Sequence, residues 1–180
     1  MKFFKMWWDE QSFDKQEQVR NLVYSGQLEI LNAGWSMHDE ACPTYEDMLA
    51  NMMVGQEWYF TNFAQTPRIG WQVDPFGHSN TNARLFHDLG LDAYFFARMD
   101  QGELDERIKN KELEWIQKPN NQSFNGENVE IFTHYIYGNL YFSPDDFEYN
   151  VDDIVFRSNE SSPDFNAEAM TKKFDAFIKD

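Results

Sequence analysis

A carboxylate directly after a hydrophobic run is the sharpest chemical feature of this sequence. The segment GWQVDPFGHS, residues 70–79, has the apolar residues of a buried strand and then reaches Asp74. A carboxylate that ends a buried strand is costly unless it is paired, hydrogen-bonded or bound to a metal. A proline and a glycine follow and predict a rigid turn that would hold it still. We therefore predict that Asp74 is a nucleophile or metal ligand rather than a helix cap, since Ser79 or Asn80 is better placed to cap the next helix.

Polar and aromatic residues follow the other predicted strands in the same way. In parallel α/β folds the carboxyl ends of the strands share one rim, and that rim carries the site. Five strand ends therefore predict one polar pocket lined by aromatic residues. We place in it Trp7, Trp8 and Asp9; Asn32, Gly34, Trp35, Asp39 and Glu40; Asp74, Phe76 and His78; Arg98 and Asp100; and His134 and Tyr135.

The four histidines are not equivalent. For His78 and His134, a site role and a structural role in a loop are both open. We expect His38 and His87 to lie on the surface.

Alternating strand and helix signals position these residues. Apolar runs predict strands at residues 1–7, 27–31, 68–73, 91–98, 112–117 and 128–136. Helical spacing and capping residues predict a first helix that begins at Ser12 or Asp14 and ends at Tyr24. They predict further helices at residues 44–63, 80–90, 102–110 and from 166 onward, with residues 137–163 as a loop. Strands separated by single helices pair in parallel through right-handed crossovers. The predicted fold class is therefore α/β, and a barrel and a doubly wound sheet both fit the spacing.

The composition excludes several classes of partner. The formal charge is −16, from 31 acidic and 15 basic residues, which argues against binding to nucleic acid or to anionic membranes. The charge is typical of a solvated acidic surface, and it also suits an acidic compartment. No apolar run approaches the length of a membrane span. Aromatic residues make up 17% of the chain, which suits a core and also a pocket that stacks against sugar rings.

With these residues in view, GWQVDPFGHS strongly resembles the signature of glycoside hydrolase family 38, the zinc-dependent α-mannosidases. The segments FFKMWW, LVYSGQLEILNAGWSMHDEA, LFHDLGLDAYFFARMD and IFTHYIYGNLYFSP are similar to the family in order and spacing. The resemblance covers about residues 1–145. LFHDLGLDAYFFARMD is more similar to the lysosomal acid branch than to the Golgi processing branch, which implies a lysosome or an equivalent acidic vacuole as the compartment.

The resemblance implies that residues 1–180 are part of an N-terminal catalytic domain with a parallel β/α barrel-like fold, incomplete here and part of a seven-stranded barrel. The implied activity is that of a retaining α-mannosidase, which removes terminal α-linked mannose from glycans, so the implied partner is a mannose-containing oligosaccharide. By position, Asp74 matches the family's nucleophile and also one zinc ligand. Phe76, Arg98 and Tyr141 match substrate-binding positions. The oligomeric state is left open.

The family's other catalytic residues are expected outside this chain. An H-x-D motif with two further zinc ligands would precede it, and the acid/base aspartate and the last zinc histidine would follow it. One ligand does not make a zinc site, and a retaining glycosidase needs a second carboxylate about 5 Å from the nucleophile. We therefore expect the 180-residue chain alone to be inactive, and to aggregate through an unpaired sheet edge. The alternatives are a non-catalytic carbohydrate-binding remnant and a truncated gene product.

Overall fold

The computed structural model describes residues 1–119, 129–136, 161, 163 and 166–177. The chain divides into two compact units, residues 1–136 and residues 137–180. The described helices and strands of the first unit are α1 (Lys2–Asp9), α2 (Phe13–Tyr24), α3 (Tyr45–Phe63), β1 (Ile69–Gln72), α4 (Asn80–Asp88), β2 (Ala93–Phe96), α5 (Gln101–Asn110), β3 (Glu114–Gln117) and β4 (Ile131–Tyr135). The second unit contains α6 (Ala167–Phe177). Among the helices described, none is long and apolar enough to cross a membrane.

Capping residues explain why the later helices begin where the sequence predicts. At the start of α3, the Thr44 hydroxyl accepts a hydrogen bond from the Asp47 N–H at 3.2 Å, and the Asp47 carboxylate accepts one from the Thr44 N–H at 3.4 Å. This reciprocal pair is a capping box, which satisfies two backbone donors that the helix leaves unpaired. At the start of α4, the Ser79 hydroxyl accepts from the Thr81 N–H at 3.2 Å. The predicted helices α2 to α6 are confirmed.

The first predicted strand, residues 1–7, is wrong, because helix α1 begins at Lys2 and includes the rest of this segment. Phe4 and Trp8 lie one helical turn apart and both pack against Phe63, with ring centroids 6.2 and 5.0 Å from it. A short run of apolar residues fits a buried helix as well as a buried strand. The packing of one helical face against α3 decides for the helix.

The predicted strand at residues 27–31 is also absent from the described sheet. The Asn32 N–H donates to the Ile69 carbonyl at 2.7 Å, so the chain does approach the start of β1. Asn32 and Ala33 then have φ angles of 59° and 51°, which lie in the left-handed region. Two such residues turn the backbone away from the extended form, and the ladder does not continue.

The four described strands form a mixed, mostly parallel sheet in the order β1-β2-β4-β3. β1 pairs with β2 and β2 with β4 in parallel, as predicted. The prediction is wrong for β3, which pairs antiparallel with β4, Trp115 opposite Thr133. The sequence gives no helix signal between these two strands, and a parallel connection normally needs a crossover element.

The two faces of the sheet have different neighbours. Tyr94 and Phe96 point to the face that packs against α4, where the Phe86 ring lies 5.5 Å from that of Tyr94. This face carries the buried core of the sheet. The register places Phe95 and His134 opposite each other on the other face, with ring centroids 5.1 Å apart. A residue on β2 or β4 is therefore assigned to one face by its parity alone.

Candidate functional site

The carboxyl ends of β1 and β2 bring Asp74 and Arg98 together. The strands are parallel neighbours, so the residues that follow them lie side by side, as predicted. The Arg98 Nε donates to Asp74 Oδ1 at 2.9 Å, and Arg98 Nη2 contacts the same oxygen. The side chain of Asp74 is 55% exposed and that of Arg98 40% exposed. The expectation that Asp74 is a buried carboxylate is therefore wrong, because the strand ends at the surface and delivers Asp74 to solvent.

Phe76 stacks on the other partner of this ion pair. The guanidinium carbon of Arg98 lies 4.1 Å from the centre of the Phe76 ring, a cation–π contact. The ring is nevertheless exposed, with 82% of the residue open to solvent. An apolar ring beside a charged pair offers a flat surface and hydrogen-bonding groups together, which is the combination that sugar rings need.

A pocket of about 800 Å³ adjoins the ion pair on the helix-covered side of the sheet. Arg98 and Phe76 line it, and Asp74 contacts the lining residue Arg98. Helix α5 supplies a second stack to its wall, with the guanidinium carbon of Arg107 4.1 Å from the Trp115 ring centre. The pocket thus combines aromatic surfaces with charged groups. Of the five predicted strand ends, those of β1 and β2 contribute to its lining, through Phe76, His78, Arg98 and Asp100.

Beneath the pocket lies a buried carboxylate, Glu40, whose side chain has no exposed surface. The Tyr94 hydroxyl donates to its Oε1 at 2.8 Å, and the Ser79 N–H donates to its Oε2 at 2.7 Å. Burial, and next the negative charge of Glu40, raise the pKa of Tyr94 well above its usual value of 10.0. Tyr94 therefore stays a neutral hydrogen-bond donor across the physiological pH range.

His78 connects this carboxylate to the strand end that carries Arg98. Its Nδ1 lies 3.0 Å from Glu40 Oε1 and 2.7 Å from the Tyr94 hydroxyl. Its Nε2 lies 3.0 Å from the main-chain carbonyl oxygen of Arg98. A carbonyl oxygen only accepts hydrogen bonds, so Nε2 carries a proton and donates it.

A polar layer that no sequence pattern predicted lies below Glu40, His78 and Tyr94. His38 is buried rather than on the surface, and its Nε2 lies 2.7 Å from Asn82 Oδ1. Gln72 is fully buried and donates from Nε2 to the His38 carbonyl at 3.1 Å. Alternation along β1 is a signal that could have placed Gln72 on the helix-covered face. Asn82 and His38 meet across 44 residues of sequence, and no local pattern predicts such a contact.

Several residues predicted for the pocket lie elsewhere. Trp8 is buried with Trp58, their ring centroids 6.1 Å apart, because α1 is a helix of the core. His134 lies on the opposite face of the sheet from Tyr94, and its Nδ1 is 3.0 Å from Glu114 Oε1. Tyr141 lies outside the described residues, so its predicted role stays a prediction.

The described residues do not by themselves fit a zinc ion. Among them, no group of three His, Cys, Asp or Glu side chains is arranged to hold a metal. One partner of Asp74 is the Arg98 guanidinium, which is a cation itself. A structural or catalytic zinc site takes three or four protein ligands. The described part of the chain therefore offers Asp74 as a single candidate ligand.

Comparisons with known proteins show the family of the chain. The family model for the glycosyl hydrolases family 38 N-terminal domain matches residues 1–177. The chain is 38% identical to a lysosomal alpha-mannosidase of Dictyostelium discoideum over 96% of its length, and 41% identical to an alpha-mannosidase of Arabidopsis thaliana over 86%. It is 35% identical to the lysosomal alpha-mannosidase of Felis catus over 96%. The chain covers 17%, 15% and 17% of these three relatives. The resemblance inferred from the motifs is confirmed, and the chain belongs to the glycosyl hydrolase family 38 N-terminal domain family.

Proposed function

We propose that this chain is part of the catalytic domain of a retaining α-mannosidase that removes terminal α-linked mannose from glycans. The observation that carries the proposal is the ion pair of Asp74 and Arg98 at adjoining strand ends, in a chain that belongs to family 38. The names of the relatives support the activity, since the three compared above are all α-mannosidases.

In this proposal Asp74 is the nucleophile. Its carboxylate attacks the anomeric carbon of the mannose, the bond to the leaving oxygen breaks, and water later hydrolyses the glycosyl-enzyme ester. A nucleophilic carboxylate must be ionised, and the neighbouring Arg98 guanidinium stabilises that charge. The acid/base that protonates the leaving oxygen is assigned to sequence outside the described residues.

Phe76 and Arg98 bind the substrate in this proposal, together with Tyr141. The exposed ring of Phe76 supplies an apolar surface beside the nucleophile. The guanidinium of Arg98 has several donors, so it can bond a sugar hydroxyl while it holds Asp74. The substrate class is thus a mannose-containing oligosaccharide.

The proposal includes one zinc ligand from this chain. Asp74 is proposed as one ligand, with the remaining ligands outside the described residues. We assign no step of the reaction to the metal, because the described side chains do not complete a site.

We further propose that residues 1–180, which contain this sheet, are part of a larger parallel β/α barrel-like N-terminal catalytic domain. The parallel strands β1, β2 and β4 support this, as do the polar residues at the carboxyl ends of β1 and β2. The proposed compartment is a lysosome or an equivalent acidic vacuole. The support is that two of the compared relatives are named lysosomal.

Substitution of Asp74 in the full-length gene product tests the proposal. Asp74→Asn keeps the shape of the side chain but removes the nucleophilic charge, so turnover of an aryl α-mannoside should fall by several orders of magnitude. The unfolding free energy should change by about 1 kcal/mol or less, because the ion pair is half exposed. Asp74→Ala should in addition lower the zinc content, measured by metal analysis.

The chain provides a matched control for this experiment. Asp92 also pairs with an arginine, its Oδ2 2.7 Å from Arg68 Nε, and its side chain is 60% exposed. Asp92→Asn should therefore cost similar stability and leave turnover unchanged. Near-normal turnover in folded Asp74→Asn protein would refute the assignment of the nucleophile.

A further inference from the structure

We infer that His78 is a positioning residue for the proposed nucleophile. Its imidazole fixes the main chain at Arg98, and through it the guanidinium that holds Asp74. Glu40 and Tyr94 act with it, because they fix the ring. The inference rests on the proposed function, and it assigns Glu40, His78 and Tyr94 a role in positioning the nucleophile.

The first step is the anchoring of Glu40. Its side chain is fully buried, and a buried carboxylate is tolerated only with several hydrogen-bond partners. Two donors are the Tyr94 hydroxyl from β2 and the Ser79 N–H from the start of α4, and the His78 ring from the turn after β1 contacts the carboxylate, its Nδ1 3.0 Å from Oε1. The carboxylate thus ties together three parts of the strand-end region.

The second step is the orientation of the imidazole. On one side, Nδ1 lies 3.0 Å from Glu40 Oε1 and 2.7 Å from the Tyr94 hydroxyl. The Phe96 ring packs edge-on against it with centroids 4.5 Å apart. These contacts leave the ring one orientation, in which Nε2 points at the Arg98 carbonyl at 3.0 Å.

The hydrogen bond from His78 Nε2 holds a part of the main chain that lies outside the sheet. Strand β2 ends at Phe96, so the peptide groups near Arg98 lie beyond the sheet ladder. The bond from Nε2 fixes the carbonyl of the residue whose side chain contacts Asp74. A displacement of about 1 Å at a reacting group can reduce turnover about 10²-fold. The position of this carbonyl therefore bears on catalysis, although His78 touches no reacting atom.

Two substitutions of His78 in the full-length gene product separate its two hydrogen bonds. The amide nitrogen of Gln reaches about as far as Nε2, so His78→Gln keeps the donor to Arg98. The shorter Asn reaches only as far as Nδ1 and loses that donor. We expect His78→Asn to lower kcat on an aryl α-mannoside by on the order of 10²-fold, with a smaller change in KM. His78→Gln should restore most of kcat.

The control is His87→Asn. His87 lies on the same helix-covered side, near the end of α4, and contacts Asp88 rather than the cluster. Its substitution should leave kcat and KM unchanged. Tyr94→Phe removes the hydroxyl that contacts His78 Nδ1, and it should give a kcat between those of wild type and His78→Asn. If His78→Asn fails to fold, the kcat of Tyr94→Phe tests the inference in its place.

A purely structural role predicts another result. Both His78 variants would then lower the melting temperature, while kcat per folded molecule would equal that of wild type, and this outcome would overturn the inference.

Crystal structures of the variants give a measurement independent of activity. The inference requires the bond from Arg98 Nε to Asp74 Oδ1 to break in His78→Asn and to persist in His78→Gln, and an intact 2.9 Å bond in both would refute it. If wild type itself lacks mannosidase activity, the proposed function fails, and the crystal structures still decide the role of His78.

Discussion

The aromatic cluster at α1 and the strand-end cluster both contain ring side chains, but the rings make different contacts. The aromatic cluster consists of Phe4, Trp8, Trp58 and Phe63, and the strand-end cluster of Glu40, Asp74, His78, Tyr94 and Arg98. In the first, rings pack on rings, with centroids 5.0 to 6.3 Å apart. In the second, rings carry hydrogen bonds to a carboxylate or a main-chain carbonyl.

The difference shows what distinguishes a core from a site when both contain ring side chains. Trp8 is 4% exposed, and the rings of Trp58 and Phe63 cover it together with the guanidinium of Arg20, so its contribution is packing. Phe76 beside the strand-end cluster is 82% exposed and touches a guanidinium. Exposure together with a polar neighbour, rather than ring content, indicates a binding surface.

The largest stability effect should come from the aromatic cluster. Trp8→Ala removes a buried ring and leaves a cavity, so the free energy of unfolding should fall by about 3–5 kcal/mol in urea denaturation. Phe3→Ala is the control, because Phe3 lies on the same helix and is 82% exposed. It should change stability by about 0.5 kcal/mol or less. A loss below about 1 kcal/mol for Trp8→Ala would show that the ring is not part of a packed core.

The sequence predicted the elements that carry strong local signals. Thr44 and Ser79 cap α3 and α4 as expected, because a side-chain oxygen before a helix acts on its own first turn. The failures are the two early segments, residues 1–7 and 27–31. In the first, only packing against α3 decides between helix and strand. In the second, the left-handed residue Asn32 ends the pairing with β1.

The sequence likewise predicted only those contacts of the site that follow from the order of the strands. Asp74 and Arg98 follow neighbouring parallel strands, so their contact follows from topology. The contacts of Glu40 do not, since 38 residues separate it from His78 and 54 from Tyr94. They depend on the path of the loop after Asn32, which tertiary packing determines.

The next effect in size should come from the strand-end cluster. Glu40→Ala leaves the buried Tyr94 hydroxyl and the Ser79 N–H without their acceptor, which should cost about 1–3 kcal/mol of unfolding free energy. Glu114→Ala is the matched control. Glu114 lies 3.0 Å from a histidine as Glu40 does, but its side chain is 62% exposed, so its loss should cost about 0.5 kcal/mol or less. Equal losses in chemical denaturation of the two variants would remove the distinction between a buried anchor and a surface pair.

The smallest effect concerns Asp39, which precedes Glu40 in the loop that reaches the strand-end cluster. Its Oδ1 accepts hydrogen bonds from the N–H groups of Cys42 and Ala41, both at 2.7 Å. These bonds, that of Cys42 first, lower the pKa of Asp39 below its usual value of 3.8. A lowered carboxyl pKa means that the folded state favours the ionised form. The resulting stability is present above pH 3.8, the pKa of the unfolded chain, and is lost as the pH falls through the lower pKa of the folded state.

Asp39→Asn has no charge to titrate, so its comparison with wild type isolates this contribution. The difference in unfolding free energy between the two proteins should be largest at neutral pH, where wild type is the more stable. It should shrink as the pH falls below 3.8, because wild type then loses the same charge. Urea denaturation of both proteins across this range measures it. A difference that stays constant through the acid range would show that the two bonds to the loop backbone stabilise the fold without help from the charge of Asp39.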